Sequence, residues 1–163
     1  MNLVLIGMPG CGKSTIGKKA AKEIGKRFVD LDEEIEKEAQ MTIPEIFEKH
    51  GEKRFREIEH AVCGRFAKEH GQVISCGGGI VKDRRNMEML RQNGVVFHIR
   101  RNLNALAVGG DRPLSTSRER LRQMERERMP LYQKYSDIEI ENNTVFKQAV
   151  QKVKEGYDEV FNH

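Results

Sequence analysis

The stretch GMPGCGKST (residues 7–15) follows directly on the apolar run NLVLI (2–6). It fits the pattern G-x-x-x-x-G-K-[ST] through Gly7, Gly12, Lys13 and Ser14. Glycines in such a loop let the backbone curl until successive N–H groups face one point, which makes an anion nest. A following helix adds the positive end of its dipole. Lys13 is placed to reach outer phosphates, and the Ser14 hydroxyl to join a Mg²⁺ shell. The context fits as well. Residues 13–25, KSTIGKKAAKEIG, put Ile16, Ala20 and Ile24 on one helical stripe, with Gly25 as the stop. Strand, loop and helix in that order is what a phosphate-binding loop requires; an ordinary glycine turn is the weaker alternative.

This loop needs a parallel sheet behind it, and 163 residues suit one such domain. Strand-like runs recur at RFVD (27–30), QVISC (72–76), VVFHI (95–99) and DIEIE (137–141), with helical stretches between them. TIPEIFEKHG opens on a capping box from Thr42 to Glu45 and is expected to end at Gly51. KDRRNMEMLRQNG ends at Gly94, and TVFKQAVQKVKEGYDEVF is amphipathic. Strands alternating with helices imply a three-layer α/β/α domain with a five-stranded parallel sheet. Ligands of such sheets sit beyond the carboxyl ends of the strands.

Composition excludes several function classes. Lys and Arg number 29 against 25 Asp and Glu, a net charge of +4, and the two signs are interleaved, as in RERLRQMERER. That is a solvated helix face, with neither an aromatic platform nor a basic tail, so nucleic acid is not the expected partner. Small anionic substrates suit the mild excess better. No window approaches the run of about eighteen apolar residues that a membrane span needs. The sequence starts on a strand, so no signal peptide is expected. Cys11, Cys63 and Cys76 lack metal-ligand spacing and imply a reducing, cytoplasmic setting. His50, His60, His70, His98 and His163 are scattered and read as structural or exposed.

The strand ends carry the remaining candidates. In RFVDLDEE, Asp30 and Asp32 are expected to alternate along an extended stretch and point the same way. Two adjacent carboxylates repel unless Mg²⁺ or a substrate hydroxyl shares them. The competing expectation is that one of them caps the helix LDEEIEKEAQ. Further on, Phe55, Glu59, Val62 and Phe66 share a helical stripe, so Glu59 falls among apolar neighbours, where a carboxylate needs a partner. Arg56 lies within reach of both Glu52 and Glu59. An arginine so held can fork onto a substrate carboxylate, although these residues alone favour a surface ion-pair cluster. Gly77, Gly78 and Gly79 follow the third strand directly and offer positive φ and close ligand approach. In GGDRPLSTSRERLRQMERERMPLYQKY, Gly109 and Gly110 suit a hinge, and Arg112 suits a closing lid that meets a phosphoryl group. Leu121, Met124, Leu131 and Tyr135 form a stripe that also includes Arg128, and Pro130 is expected to interrupt that helix. Arg128 then either finds an inner partner or snorkels to the surface.

Taken in order, GMPGCGKST, FVDLD, GEKRFREIE, CGGGIV, DRPL and RMPLY resemble the shikimate kinase family over nearly the whole chain. The first motif is common to many phosphate binders; the set is specific. The resemblance implies the nucleoside-monophosphate-kinase type of P-loop fold. It implies a single domain over 1–163, with a substrate-binding helical region at 31–60 and a lid at about 108–118. It implies transfer of the ATP γ-phosphate to the 3-hydroxyl of shikimate, with Mg²⁺, by a monomer. ATP would be bound by Gly10, Cys11, Gly12, Lys13, Ser14, Thr15 and Arg112. Ser14 and, through water, Asp30 would hold the metal. Asp32 would bind shikimate hydroxyls and act as base, with Lys13 and Arg112 as the other catalytic groups. Arg56 and Arg128 would clamp the carboxylate beside Gly78 and Gly79, and Glu59 would hold Arg56. The lid is short, with fifteen residues between Arg112 and Arg128, and the preceding segment RRNLNALAVGGD offers only Arg100 or Arg101 for adenine.

Gluconate kinase or a nucleoside monophosphate kinase is the nearest rival, since gluconate is also a polyhydroxy acid. A nucleotide-binding regulator is the rival from another class. It would show no acceptor-dependent ADP release and would have no need of Asp32, Arg56 and Arg128.

Overall fold

The computed structural model describes residues 1–102, 118–143 and 146–161. Five strands, β1 (Asn2–Ile6), β2 (Arg27–Asp30), β3 (Gln72–Ser75), β4 (Gly94–Arg100) and β5 (Ile138–Glu141), form one sheet in the order β2-β3-β1-β4-β5. Every pairing is parallel. β1, β3 and most of β4 are buried along their length, as strands covered on both faces must be, which explains their unbroken apolar runs. β5, at an edge, exposes Glu139 and Glu141 instead.

Helices α1 (Lys13–Ile24), α2 (Leu31–Ala39), α3 (Ile43–Ala67), α4 (Arg84–Gln92), α5 (Arg118–Tyr135) and α6 (Phe146–Phe161) cover the sheet on both sides. α1 packs with α6 and α3 with α4, while α5 lies over β4 and a 3₁₀ turn at Ile80–Lys82. The connection leaving β1 runs to β2, and the one leaving β3 runs to β4 on the other side of β1. Adjacent strands whose connections diverge leave a crevice at their carboxyl ends. Residues 7–12 and 76–79 emerge there.

Two helix expectations need correction. The capping box at Thr42 and Glu45 forms, but the helix does not stop at Gly51. Gly51 takes φ 82° and ψ 172°, kinks the chain, and lets helix resume. The kink brings Phe47 and Phe55 together, with ring centroids 4.9 Å apart. Likewise α5 runs through Pro130. The lost N–H bond and the ring's conflict with the Arg126 carbonyl cost stability. Burial of Tyr132 and Tyr135 just beyond the proline offsets that cost.

Candidate active site

The phosphate loop is shaped by its own backbone. Gly10 and Gly12 sit at φ 79° and 97°, in the left-handed region that glycine enters freely. Gly12 is the N-cap of α1, with neither a side-chain cap nor an acid in the first turn, so the helix presents its N-terminal N–H groups unshielded. Lys13 Nζ donates to the Gly7 carbonyl at 2.8 Å and the Met8 carbonyl at 3.0 Å. Cys11 is fully buried; its N–H turns inward to the Met8 carbonyl (3.2 Å), and its own carbonyl accepts from Asn142 Nδ2 (2.9 Å). It shapes the loop from beneath, while Gly10, Gly12, Lys13, Ser14 and Thr15 line the cleft.

Ser14 Oγ donates to Asp30 Oδ2 at 2.7 Å and lies 3.1 Å from Ser75 Oγ. A hydroxyl beside a carboxylate is an oxygen donor set of the kind a hard cation takes. Among the described residues there is no cluster of three or more His, Cys, Asp or Glu able to hold a metal. The Ser14 and Asp30 oxygens fit a Mg²⁺ that arrives with phosphate oxygens and keeps several waters.

Asp30 and Asp32 do not alternate along a strand. Helix α2 begins at Leu31, and Asp30 caps it, Oδ1 accepting from the N–H groups of Asp32 (2.9 Å) and Glu33 (3.3 Å). Asp30 thus caps with one oxygen and meets Ser14 with the other. Asp32, in the first turn, faces the cleft with Oδ1 buried and without a partner among the described residues. Burial lifts its carboxyl from 3.8 to about 7, the Asp30 and Glu59 charges add to this, and Lys13 opposes it.

Glu59 is buried on the apolar stripe of α3 and receives Arg56 Nη1 at 2.9 Å. Burial raises its carboxyl, against the pull of Arg56 and then Arg128. Glu52 stands 3.9 Å from Arg56 Nε on the other side. This is no surface cluster, since Arg56 and Glu59 both line the cleft. Arg56 Nε and Glu59 Oε2 remain buried without a hydrogen-bond partner among the described residues. Arg128 is 5% exposed and faces the same cleft, so it does not snorkel.

Gly77, Gly78 and Gly79 matter for their missing side chains, not for positive φ, which none of them adopts. A Cβ on Gly77 would lie 2.7 Å from Asp32 Oδ1, and one on Gly79 2.5 Å from Arg56 Nη1 and Nη2. On Gly78 it would lie 2.8 Å from Pro9 Cδ and 3.2 Å from Arg128 Nη1. The room is taken by the protein's own functional groups.

One cleft of about 190 Å³ therefore joins the phosphate loop to Asp30, Asp32, Arg56, Glu59, Gly77–Gly79 and Arg128. Its apolar wall is Ile43, Phe47 and Phe55. Of these, Ile43 and Phe47 carry no signal in the sequence that sets them apart from other apolar helix residues; they precede the kink at Gly51, and Phe55 follows it. Tyr132 was also missed, because Leu131 fits the apolar stripe equally well. Arg112 and the proposed lid at 108–118 lie outside the described residues, apart from Arg118, where α5 starts.

The shikimate kinase family profile matches residues 9–157. A shikimate kinase of Clostridium beijerinckii is 41% identical over 94% of this chain and 92% of its own. One of Thermodesulfovibrio yellowstonii is 40% identical over 99% and 97%. Among solved structures, a shikimate kinase from Acinetobacter baumannii in complex with shikimate superposes with a TM-score of 0.85 at 30% identity, covering 99% of this chain and 93% of that one. A gluconokinase from Sinorhizobium meliloti reaches 0.61 at 14% identity, with 99% and 93% covered, a likeness of fold alone.

Proposed function

The chain belongs to the shikimate kinase family, and from that premise we propose how its residues divide the work. The activity is ATP-dependent: the γ-phosphoryl group of Mg-ATP passes to the 3-hydroxyl of shikimate, giving shikimate 3-phosphate and ADP. Loop N–H groups and the α1 terminus receive the phosphates, and Lys13 swings from the Gly7 and Met8 carbonyls onto the outer ones. Ser14 and, through water, Asp30 would hold Mg²⁺. When bound, Mg²⁺ neutralises charge on the transferring group.

On the acceptor side, Arg56 and Arg128 fork onto the shikimate carboxylate. Glu59 fixes Arg56 from behind. Ile43, Phe47 and Phe55 cover the ring and exclude water. Asp32 receives hydroxyl hydrogen bonds and takes the proton from the attacking 3-hydroxyl as the new P–O bond forms and the bond to ADP breaks. A carboxyl near 7 is matched to that task. Arg112 meets the phosphoryl group from the lid, and residues 31–60 act as the acceptor-binding region of a single domain. We place the enzyme in the cytoplasm as a monomer; no helix among the described residues is long and apolar enough to cross a membrane.

The observation that carries this reading is the convergence of unmet polar atoms, Asp32 Oδ1, Arg56 Nε and Glu59 Oε2, beside two arginines in the cleft of a phosphate loop. Buried polar groups without partners suit a polar ligand that supplies them. The test is ADP release from Mg-ATP with shikimate, quinate, gluconate, AMP or no acceptor. Strong stimulation by shikimate alone is expected. Stimulation by gluconate or AMP instead would overturn the roles of Arg56 and Arg128.

A further inference from the structure

Tyr132 sits one helical turn after Arg128 on α5 and is fully buried. Its hydroxyl donates to the Gly78 carbonyl at 2.6 Å. Its ring stacks on His98, with centroids 4.9 Å apart and planes at 30°. His98 lies in β4 opposite Ile6, the last residue before the phosphate loop. One side chain thus ties α5 to the glycine loop while resting on the sheet beneath the site.

Packing does not explain the hydroxyl. Phenylalanine would stack on His98 equally well, and a buried hydroxyl is costly unless it is bonded. Burial pushes the Tyr132 phenol up from its ordinary value, so it keeps its proton and donates. The carbonyl that receives it belongs to a peptide with little slack. Gly78 is wedged between Pro9 of the phosphate loop, where a Cβ would clash at 2.8 Å, and the Arg128 guanidinium, where it would fit tightly at 3.2 Å.

We propose that Tyr132 is a positioning residue for the acceptor site: its hydroxyl pins the Gly78 carbonyl, and the pinned loop holds Arg128 where the acceptor carboxylate is received. The inference rests on the carboxylate role of Arg128 proposed above. Without the hydroxyl, the glycine loop loses its tie to α5, and Arg128 loses both the fixed loop and the phenol oxygen beside it. Lys13 and the turn at Gly10 and Gly12 keep their own contacts, to the Gly7 and Met8 carbonyls and to Asn142.

The experiment is steady-state kinetics of Tyr132→Phe, Arg128→Ala and the double variant, each varied in both substrates. Tyr132→Phe should raise the shikimate KM about tenfold, the effect of one buried hydrogen bond, and leave kcat and the ATP KM within about twofold. Because Tyr132 acts through Arg128, the double variant should have nearly the shikimate KM of Arg128→Ala alone. A Tyr132→Phe enzyme with wild-type shikimate KM, while Arg128→Ala is impaired, would overturn the proposal and leave the carboxylate role standing. Equal rises in both KM values would reduce Tyr132 to general packing and also overturn it. An unimpaired Arg128→Ala enzyme would remove the carboxylate role itself, and the proposal with it.

Discussion

Lys13 and Arg128 are both buried cations lining one cleft, but they are held by different means. Lys13 rests on two main-chain carbonyls of the loop that carries it. Arg128 stands on a separate helix, beside a glycine loop, a tyrosine and the charge of Glu59. The contrast extends to the surroundings. Among the described residues, no buried side-chain atom of residues 7–15 lacks a hydrogen-bond partner, whereas Asp32, Arg56 and Glu59 each leave one unmet. A phosphate is recognised by backbone geometry that many sequences can supply. A polyhydroxylated carboxylic acid needs particular side chains at particular places, kept polar and partly unsatisfied until it binds. The donor half is therefore built mainly from main-chain geometry, braced by Asn142 on the Cys11 carbonyl. The acceptor half is specific and held together across four elements.

If the halves are separable, variants should divide the two substrates. The largest effect is expected from Lys13→Met, which should cut kcat by about a thousandfold or more while shikimate affinity stays near wild type, measured by equilibrium binding. A matching loss of shikimate affinity would break the comparison at once. Asp32→Asn should lower kcat by about a hundredfold or more, as loss of a general base does, measured at saturating substrates. Asp32 also gives the acceptor half a pH signature. Its carboxyl titrates near 3.8 when unfolded and about 7 when folded, so its stabilising contribution is full below 3.8 and is lost as pH rises through 7. Asp32→Asn should remove that slope, melting above wild type at pH 8 and converging with it near pH 4. The acid limb of wild-type kcat/KM should fall at about 7.

Gly79→Ala is the smaller and sharper test. Its methyl would meet the Arg56 guanidinium at 2.5 Å, the flexible end of a side chain, so the fold should survive. The shikimate KM should rise about tenfold with the ATP KM unchanged, the mark of lost ground-state binding. An unchanged shikimate KM would mean that the glycine loop does not set the position of Arg56.

The strands were legible in the sequence because buried parallel strands are continuous apolar runs and their bounds are marked by glycine and charge. The phosphate loop was legible because its motif includes its own context. Glu59 could be found as a carboxylate on an apolar stripe. Other features depended on contacts far apart in sequence. The alternation of Asp30 and Asp32 failed because α2 starts at Leu31, and the Asp30 cap that starts it competes locally with the strand. Pro130 was read as a break because the burial of Tyr132 and Tyr135 that outweighs it comes from other elements. For the three glycines the expected positive φ is absent, while their place on the cleft wall leaves the expected close approach open. Only the positions of Asp32, Arg56 and Arg128 reveal that a missing Cβ, not a positive φ, is what each one provides.

The most direct measurement is calorimetric titration of Arg128→Ala with shikimate and, separately, with Mg-ADP. The account predicts shikimate affinity reduced by about a hundredfold, as for loss of a buried charge-assisted pair, with Mg-ADP affinity within about twofold of wild type. Equal weakening of both ligands, or unchanged shikimate binding in a folded protein, would contradict a cleft divided into a backbone-built donor half and a side-chain-built acceptor half.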